Sequence, residues 1–387
     1  MNITPPSQLK SELMQHQIEG LYWMYDREHS IQHTNPLFEE ITENGKTVWT
    51  SSLMNSTQNI EPANVRGGLI CDEMGMGKSI MILSLILISP PVGFTYPLGT
   101  SDISSESIVS SRTNPGDLNS SQDVSRSSPC ITTLIVCPKS VIPHWMEQVE
   151  KHIKPGVLRV KKYMGKNRAK VINELDQNKI DILLVSYETL ASDYNDYEVG
   201  SKNTEIIFGA VPRKKRRKIT CSIFSNTRRF HRIILDEFHH IRTAMTLKCT
   251  SCLMIDAEFK FGLSGSPFPN NPEDMLTSFQ FLGVVSNANI FTKRVVEPIR
   301  NNDDAGFALL RSILSHFVLH RKKDEITIPE KTVQVHPIKF QKSSVHFKIY
   351  SVLYESARCA FVAIRTAGDK NVCAPIFETI VRLRQAW

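Results

Sequence analysis

Gly67-Gly68-Leu69-Ile70-Cys71-Asp72-Glu73-Met74-Gly75-Met76-Gly77-Lys78-Ser79 runs straight into the apolar stretch Ile80–Ile88. A short apolar run, a glycine-rich loop and a helix-length apolar run follow one another in the order that a phosphate-binding loop needs. Such a loop works because backbone N–H groups and a helix N-terminus point at anionic oxygens. Glycine lets the backbone come that close. Lys78 would then reach phosphate, and the Ser79 hydroxyl would hold a metal ion. The strict pattern asks for glycine where Asp72 stands, so the loop reads as a shorter one, Gly75-x-Gly77-Lys78-Ser79, built on the same principle.

A second stretch completes the first. In Arg232-Ile233-Ile234-Leu235-Asp236-Glu237-Phe238-His239-His240 two acids follow a buried-strand pattern. Carboxylates at the C-terminal end of a parallel strand lie where open α/β sheets bind ligands. Asp236 would hold the metal through water, and Glu237 would orient or deprotonate an attacking water. Taken alone, two acids opening a helix would be better explained by the helix dipole; the presence of Lys78 favours the paired reading, a magnesium-nucleoside-triphosphate site.

The same strand pattern recurs at 68–71, 132–137, 181–185, 232–235 and 259–263, separated by longer helical stretches. This predicts an α/β fold, a mostly parallel sheet with helices on both faces. Two stretches interrupt it. Residues 97–129 are Ser-rich with few apolar side chains, which predicts a disordered insertion. Residues 196–226 form a basic insertion that carries Arg213-Lys214-Lys215-Arg216-Arg217-Lys218. Six adjacent cations read as a nuclear-import signal, a DNA-facing arm or a solvated surface.

Composition adds limits. The 387 residues are 41% hydrophobic and 22% charged, with net charge +7, ordinary for a globular chain and permissive for nucleic acid. Ile80–Ile88 is too short to cross a bilayer, and Met1–Pro6 lacks a signal segment, so a soluble, intracellular protein without a membrane partner is expected. Eight scattered cysteines need no pairing in a reducing compartment, and Cys249-x-x-Cys252 has no second pair at zinc spacing.

These motifs, in this order, resemble the Swi/Snf-related branch of the superfamily-two helicase-like ATPases, and within it the group of the helicase-like transcription factor and its yeast DNA-damage-tolerance relatives. His16-Gln17-Ile18-Glu19-Gly20 looks like the family's adenine-reading motif, with Gln17 as the matching glutamine. Asp72, Glu73, Met74, Gly75, Met76, Gly77, Lys78 and Ser79 match the phosphate loop. Cys137-Pro138-Lys139-Ser140 and Ser186-Tyr187-Glu188-Thr189 resemble DNA-contacting motifs, implying contacts from Lys139, Ser140, Ser186 and Thr189. Asp236-Glu237-Phe238-His239 is similar to the Asp-Glu-x-His box. Gly262-Leu263-Ser264-Gly265-Ser266-Pro267 looks like the coupling motif, with Ser264, Gly265 and Ser266 at its centre.

The resemblance implies a RecA-like ATP-binding lobe over 8–325 and, over 326–387, a bridge toward a second lobe that is missing here. It implies ATP and Mg²⁺ as cofactors, double-stranded DNA and nucleosomes as partners, an import receptor at Arg213–Lys218, and a nuclear location. The expected function is DNA-dependent ATPase and translocase chemistry in repair or remodelling. The alternative is a non-catalytic, ATP-binding module that recruits partners. An arginine finger contributes roughly 10³–10⁵ in rate, so a lobe without one is expected to bind nucleotide better than it hydrolyses it. Several positions depart from the family pattern. Met76 and Ser79 replace Leu and Thr, Ile18 and Pro269 replace polar residues, and His346 and Phe347 replace Glu and Arg. Phe238 replaces Gly or Ala, and its ring is expected to crowd the catalytic loop.

Overall fold

In the computed structural model, seven strands form one parallel sheet whose residues alternate between two separate cores. The structure describes residues 4–29, 36–43, 46–51, 53, 56–60, 62, 64–97, 130–205, 222–224, 228–266, 271–285, 287–325, 334, 345–367 and 373–385. Of the expectations above, Arg213–Lys218, Pro267, Pro269 and nearly all of 97–129 lie outside these residues. The chain divides into two compact units, 1–327 and 328–387.

The first unit opens with helix α1 (Gln15–His29) and a small antiparallel sheet of β1 (Glu39–Glu43), β2 (Lys46–Ser51) and β3 (Ser56–Gln58). The main sheet uses β4 (Gly67–Ile70), β5 (Cys130–Cys137), β6 (Val160–Lys162), β7 (Ile182–Ser186), β8 (Arg229–Asp236), β9 (Asp256–Leu263) and β10 (Val318–Leu319). Their order is β10-β4-β9-β8-β5-β7-β6, and every pairing is parallel. Helices α2 (Lys78–Ile88), α3 (Ile142–His152), α4 (Arg168–Asp176), α5 (Tyr187–Glu205), α6 (Leu247–Leu253) and α7 (Leu276–Leu282) connect them, followed by helices at Ala288–Phe291, Glu297–Arg300 and Asp304–Phe317.

Strand side chains point alternately to opposite faces, and these strands are apolar at nearly every position. Leu134, Val136, Leu183, Val185, Ile233 and Leu235 face one core with α4, α5, α6 and α7. Ile135, Cys137, Ile182, Leu184, Ile234 and Phe261 face the other with α1, α2 and α3. Helix α2 is buried over Ile80–Leu87, as suits a helix that is apolar all round. A buried ion pair ties α1 to β8: Arg232 donates from Nε and Nη2 to the Glu28 carboxylate at 2.6 and 2.7 Å. Helix α5 continues to Glu205, so the first part of the expected basic insertion is helical, and Ser222 beyond it bonds Asp193 at 2.7 Å.

Among its described residues the second unit, taken by itself, holds two helices, Val345–Ala367 and Cys373–Gln385. His346 and Phe347 belong to the first turn of the former.

Candidate nucleotide site and DNA-facing edge

Apart from His16–Gly20, which lies on α1, the sequence motifs of the first unit lie at or just beyond the C-terminal ends of neighbouring parallel strands. Asp72 follows β4, Ser264 follows β9, Asp236 ends β8, Lys139 follows β5 and Ser186 ends β7. The register keeps those ends level: Ile70 pairs with Leu263, Leu263 with Asp236, and Cys137 with Ser186.

Gly75 and Gly77 both adopt left-handed backbone, at φ 87° and 86°. A Cβ on Gly77 would overlap the Gln17 amide nitrogen. The Lys78 ammonium, carried by the first residue of α2, turns back into the loop and donates to the carbonyls of Asp72 at 2.7 Å and Glu73 at 3.2 Å. Burial pulls its pKa down, opposed by the charges of Glu237, Asp72 and Asp236. Two sequence stretches far apart in the chain thereby share one electrostatic site. Ser79 is half-buried and bonds no described residue through its hydroxyl. Exposed Met74 lies against the position of Gly265, which brings the coupling motif onto the loop.

Asp72, expected in the phosphate loop, and Gln17, expected to read adenine, make contacts that the sequence did not suggest. Asp72 takes part through its carbonyl, because its carboxylate is fully buried against Arg321. The Gln17 amide is engaged at both ends, with one donor and one acceptor position still open. It donates to the Met76 carbonyl at 3.3 Å and accepts from the Met14 N–H at 3.0 Å, while His16 Nε2 also meets the Met76 carbonyl at 3.0 Å. Gln17 therefore buttresses the phosphate loop.

Asp236 accepts the Trp145 indole N–H on Oδ2 at 2.8 Å, and its carbonyl accepts the Tyr187 hydroxyl at 2.9 Å. Burial raises its pKa; the Trp145 bond opposes the shift. Glu237 sits in left-handed backbone at φ 51°, a conformation in which side-chain-bearing residues store strain, most often at functional sites. Its Oε2 accepts from the Ser264 hydroxyl at 3.2 Å and lies 3.2 Å from His239 Nδ1. His239 Nδ1 is itself 3.3 Å from the Ser264 hydroxyl, and Ser266 N–H donates to that hydroxyl at 3.2 Å. The acid and the coupling motif form one hydrogen-bonded ring.

Phe238 corrects an expectation. Its ring does not crowd the loop: the side chain is buried in the core and lies on Gly262, where any Cβ would come within 2.9 Å of the ring. Ser186 is a second correction among the DNA-contact residues. Its hydroxyl is buried and bonded to Thr189, donating to Oγ1 at 3.0 Å and accepting from the Thr189 N–H at 3.2 Å. It caps the start of α5 and offers nothing outward. Thr189 is half-buried, whereas Lys139 and Ser140 are exposed on a 3₁₀ turn before α3. Cys249 and Cys252 lie on α6, both inside the core, with burial raising both thiols.

A profile of the SNF2-related domain matches residues 16–387. The chain belongs to that family. The SNF2-related domain here is 30% identical over 357 residues to a putative SWI/SNF-related matrix-associated actin-dependent regulator of chromatin, subfamily A member 3-like 1, of Arabidopsis thaliana. That match covers 85% of this chain and 36% of the relative. It is 27% identical to the DNA repair protein RAD5 of Gibberella zeae, over 84% of this chain and 28% of that protein. The chain thus spans about a third of the length of these relatives. Among solved structures, the SWI2/SNF2 ATPase core of Sulfolobus solfataricus in complex with dsDNA matches with TM-score 0.50 at 16% identity. The match covers all of this chain and 60% of that one, and supports the fold of the SNF2-related domain.

Proposed function

We propose that this chain is the ATP-binding lobe of a DNA-dependent ATPase that translocates on duplex DNA in repair or chromatin remodelling. The observation that carries this reading is the convergence of Lys78, Asp236 and Glu237 at one end of the sheet, with the Lys78 ammonium folded into the loop. The residues present fit ATP and Mg²⁺. Two left-handed glycines open the loop, a lysine sits in it, and a serine hydroxyl and the Asp236 carboxylate stand nearby. The relatives named for chromatin regulation and DNA repair, and the archaeal core solved with dsDNA, support the choice of partner.

Lys78 would exchange two backbone carbonyls for phosphate oxygens, a trade in which its charge gains. Ser79 and Asp236 would hold the metal, which when bound neutralises phosphate charge. Glu237 would take or direct the proton of a water, its carboxylate held in place by His239 and Ser264. Ser264 would report the state of that carboxylate to the coupling motif. Lys139 and Ser140 would meet DNA phosphates, with Thr189 at the margin. Such contacts are sequence-independent and salt-sensitive. Arg213–Lys218 would engage an import receptor, placing the protein in the nucleus, with nucleosomes as the larger substrate.

The test is DNA-stimulated phosphate release, measured on this chain and on the chain extended by a second lobe. Stimulated turnover in the extended chain supports the reading. Nucleotide binding without turnover in both would favour the non-catalytic recruiting module.

A further inference from the structure

Asp236 is held at two points by groups from the helices that follow the two neighbouring strands β5 and β7. Trp145, on α3 and with no exposed surface, gives its indole N–H to the carboxylate; Tyr187, the first residue of α5 and equally buried, gives its hydroxyl to the carbonyl. An indole N–H can only donate, and a buried donor needs an acceptor. Trp145 has found an anionic one, which makes the stronger kind of bond. No other described side chain donates to that carboxylate; besides the indole it meets only the backbone N–H of Glu237, and it keeps acceptor capacity for a further ligand.

The indole is also mechanically continuous with the surface. The 3₁₀ turn Lys139–Val141 runs without a break into α3, where Ile142 and Trp145 are buried in the same core. Lys139 and Ser140 are at the exposed end of this segment, and Trp145 lies less than two turns further along it. A shift of the turn is therefore a shift of the donor.

We propose that Trp145 is a positioning residue: it sets the Asp236 carboxylate for the metal, and it makes the metal site respond to a phosphate backbone bound at the Lys139–Ser140 turn. This rests on the nucleotide-site reading above. Within it, Trp145 selects which carboxylate oxygen faces the metal, and the outward turn acquires a route to the catalytic acid through one packed helix.

The experiment is a titration of MgCl₂ against binding of a fluorescent ATP analogue to the 387-residue chain. Trp145→Phe keeps a ring and removes the N–H. A hydrogen bond to a charged group contributes enough that the Mg²⁺ needed for half-maximal binding should rise about ten-fold. Binding without Mg²⁺ should stay the same. An unchanged Mg²⁺ requirement overturns the proposal. In an Asp236→Asn background Trp145→Phe should add nothing further; additive effects would show that the ring acts by packing alone. A second measurement does not depend on how well Trp145→Phe folds. With Trp145 intact, Asp236→Asn should move the Trp145 indole N–H resonance upfield, and a stationary resonance overturns the assigned bond. A short DNA duplex should lower the Mg²⁺ requirement of the wild type and have less effect on Trp145→Phe; an equal effect on both, or none on either, overturns the link to the turn. Lys78→Ala separates the two levels: analogue binding that survives it means the nucleotide site itself is misread, whereas loss of binding there with an unmoved Mg²⁺ requirement in Trp145→Phe sinks only the role of Trp145.

Discussion

Arg321 grips the carboxylate of Asp72 from 249 residues away, with Nε 3.1 Å from Oδ1 and Nη2 2.5 Å from Oδ2. The Arg321 N–H donates to Oδ1 at 3.1 Å, and its Nη1 reaches the His16 carbonyl. One guanidinium thus joins the phosphate loop, the start of α1 and the segment that follows β10. Arg321→Ala would leave a fully buried carboxylate without its cation, and such a loss costs about 3–5 kcal/mol. Urea unfolding followed by circular dichroism should show that drop in midpoint; a change below about 1 kcal/mol, the scale of an exposed pair, would show that the bridge is superficial.

Lys78→Ala should abolish nucleotide binding and leave the fold intact. The ammonium is anchored to two backbone carbonyls and belongs to neither core. Equilibrium binding of labelled ATP, beside a melting curve, reads both effects; wild-type affinity in the variant would contradict the assignment of the loop.

Gly77→Ala combines two penalties. The left-handed backbone at φ 86° costs an L-residue roughly 1–2 kcal/mol, and the added carbon must push the Gln17 amide aside. The expected result is a lower melting temperature together with weaker nucleotide binding. Neutral stability and full affinity in this variant would mean that the loop relaxes freely.

Glu237→Gln should bind nucleotide like the wild type. It should lose about 10²–10⁴ of DNA-stimulated phosphate release, measured with a second lobe attached, because the amide keeps the shape but cannot take a proton. Retained turnover would remove Glu237 from that role.

His231 supplies a pH prediction. Burial and the neighbouring Arg232 charge depress its pKa to about 3, so the folded protein keeps the ring neutral where an unfolded chain, with a pKa near 6.5, binds a proton. The unfolded state therefore takes up more protons between these values, and stability falls as pH drops through that window. The contribution approaches one proton, ~1.4 kcal/mol per pH unit. Unfolding free energies of wild type and His231→Gln between pH 7 and 4 should diverge in slope; parallel curves would refute it.

The sheet was legible because its strands are apolar on both faces. Leu134–Cys137 and Ile233–Leu235 cannot be half-exposed, and their lengths and spacing imply parallel pairing. Lys78 and Asp236-Glu237 could be singled out as candidates because a glycine-lysine loop and an acidic pair each carry their chemistry in adjacent residues, and the structure brings them to one end of the sheet. What escaped depends on side-chain direction or on distant partners. Asp72 looks like a loop ligand until Arg321 is seen to occupy it. Phe238 looks obstructive until its ring is seen to turn onto Gly262. Ser186 looks like a DNA contact, but position gives no hint that its hydroxyl caps α5. The antiparallel sheet β1–β3 was also missed, since Glu39–Glu43 and Lys46–Ser51 are polar enough to pass for a loop.

Strand β4 sits between β9 and β10, both of which lie far downstream of it in the chain. During synthesis Gly67–Ile70 leaves the ribosome long before either neighbour has been made. Its phosphate loop can have no flanking strand, and Asp72 no guanidinium on its carboxylate, until residues 256–321 emerge. The nascent protein must therefore carry an apolar strand with two open edges until those residues are made, the kind of intermediate that invites aggregation or a chaperone. Nucleotide affinity should accordingly appear late and all at once as the chain lengthens, with the completion of β10 and the arrival of Arg321.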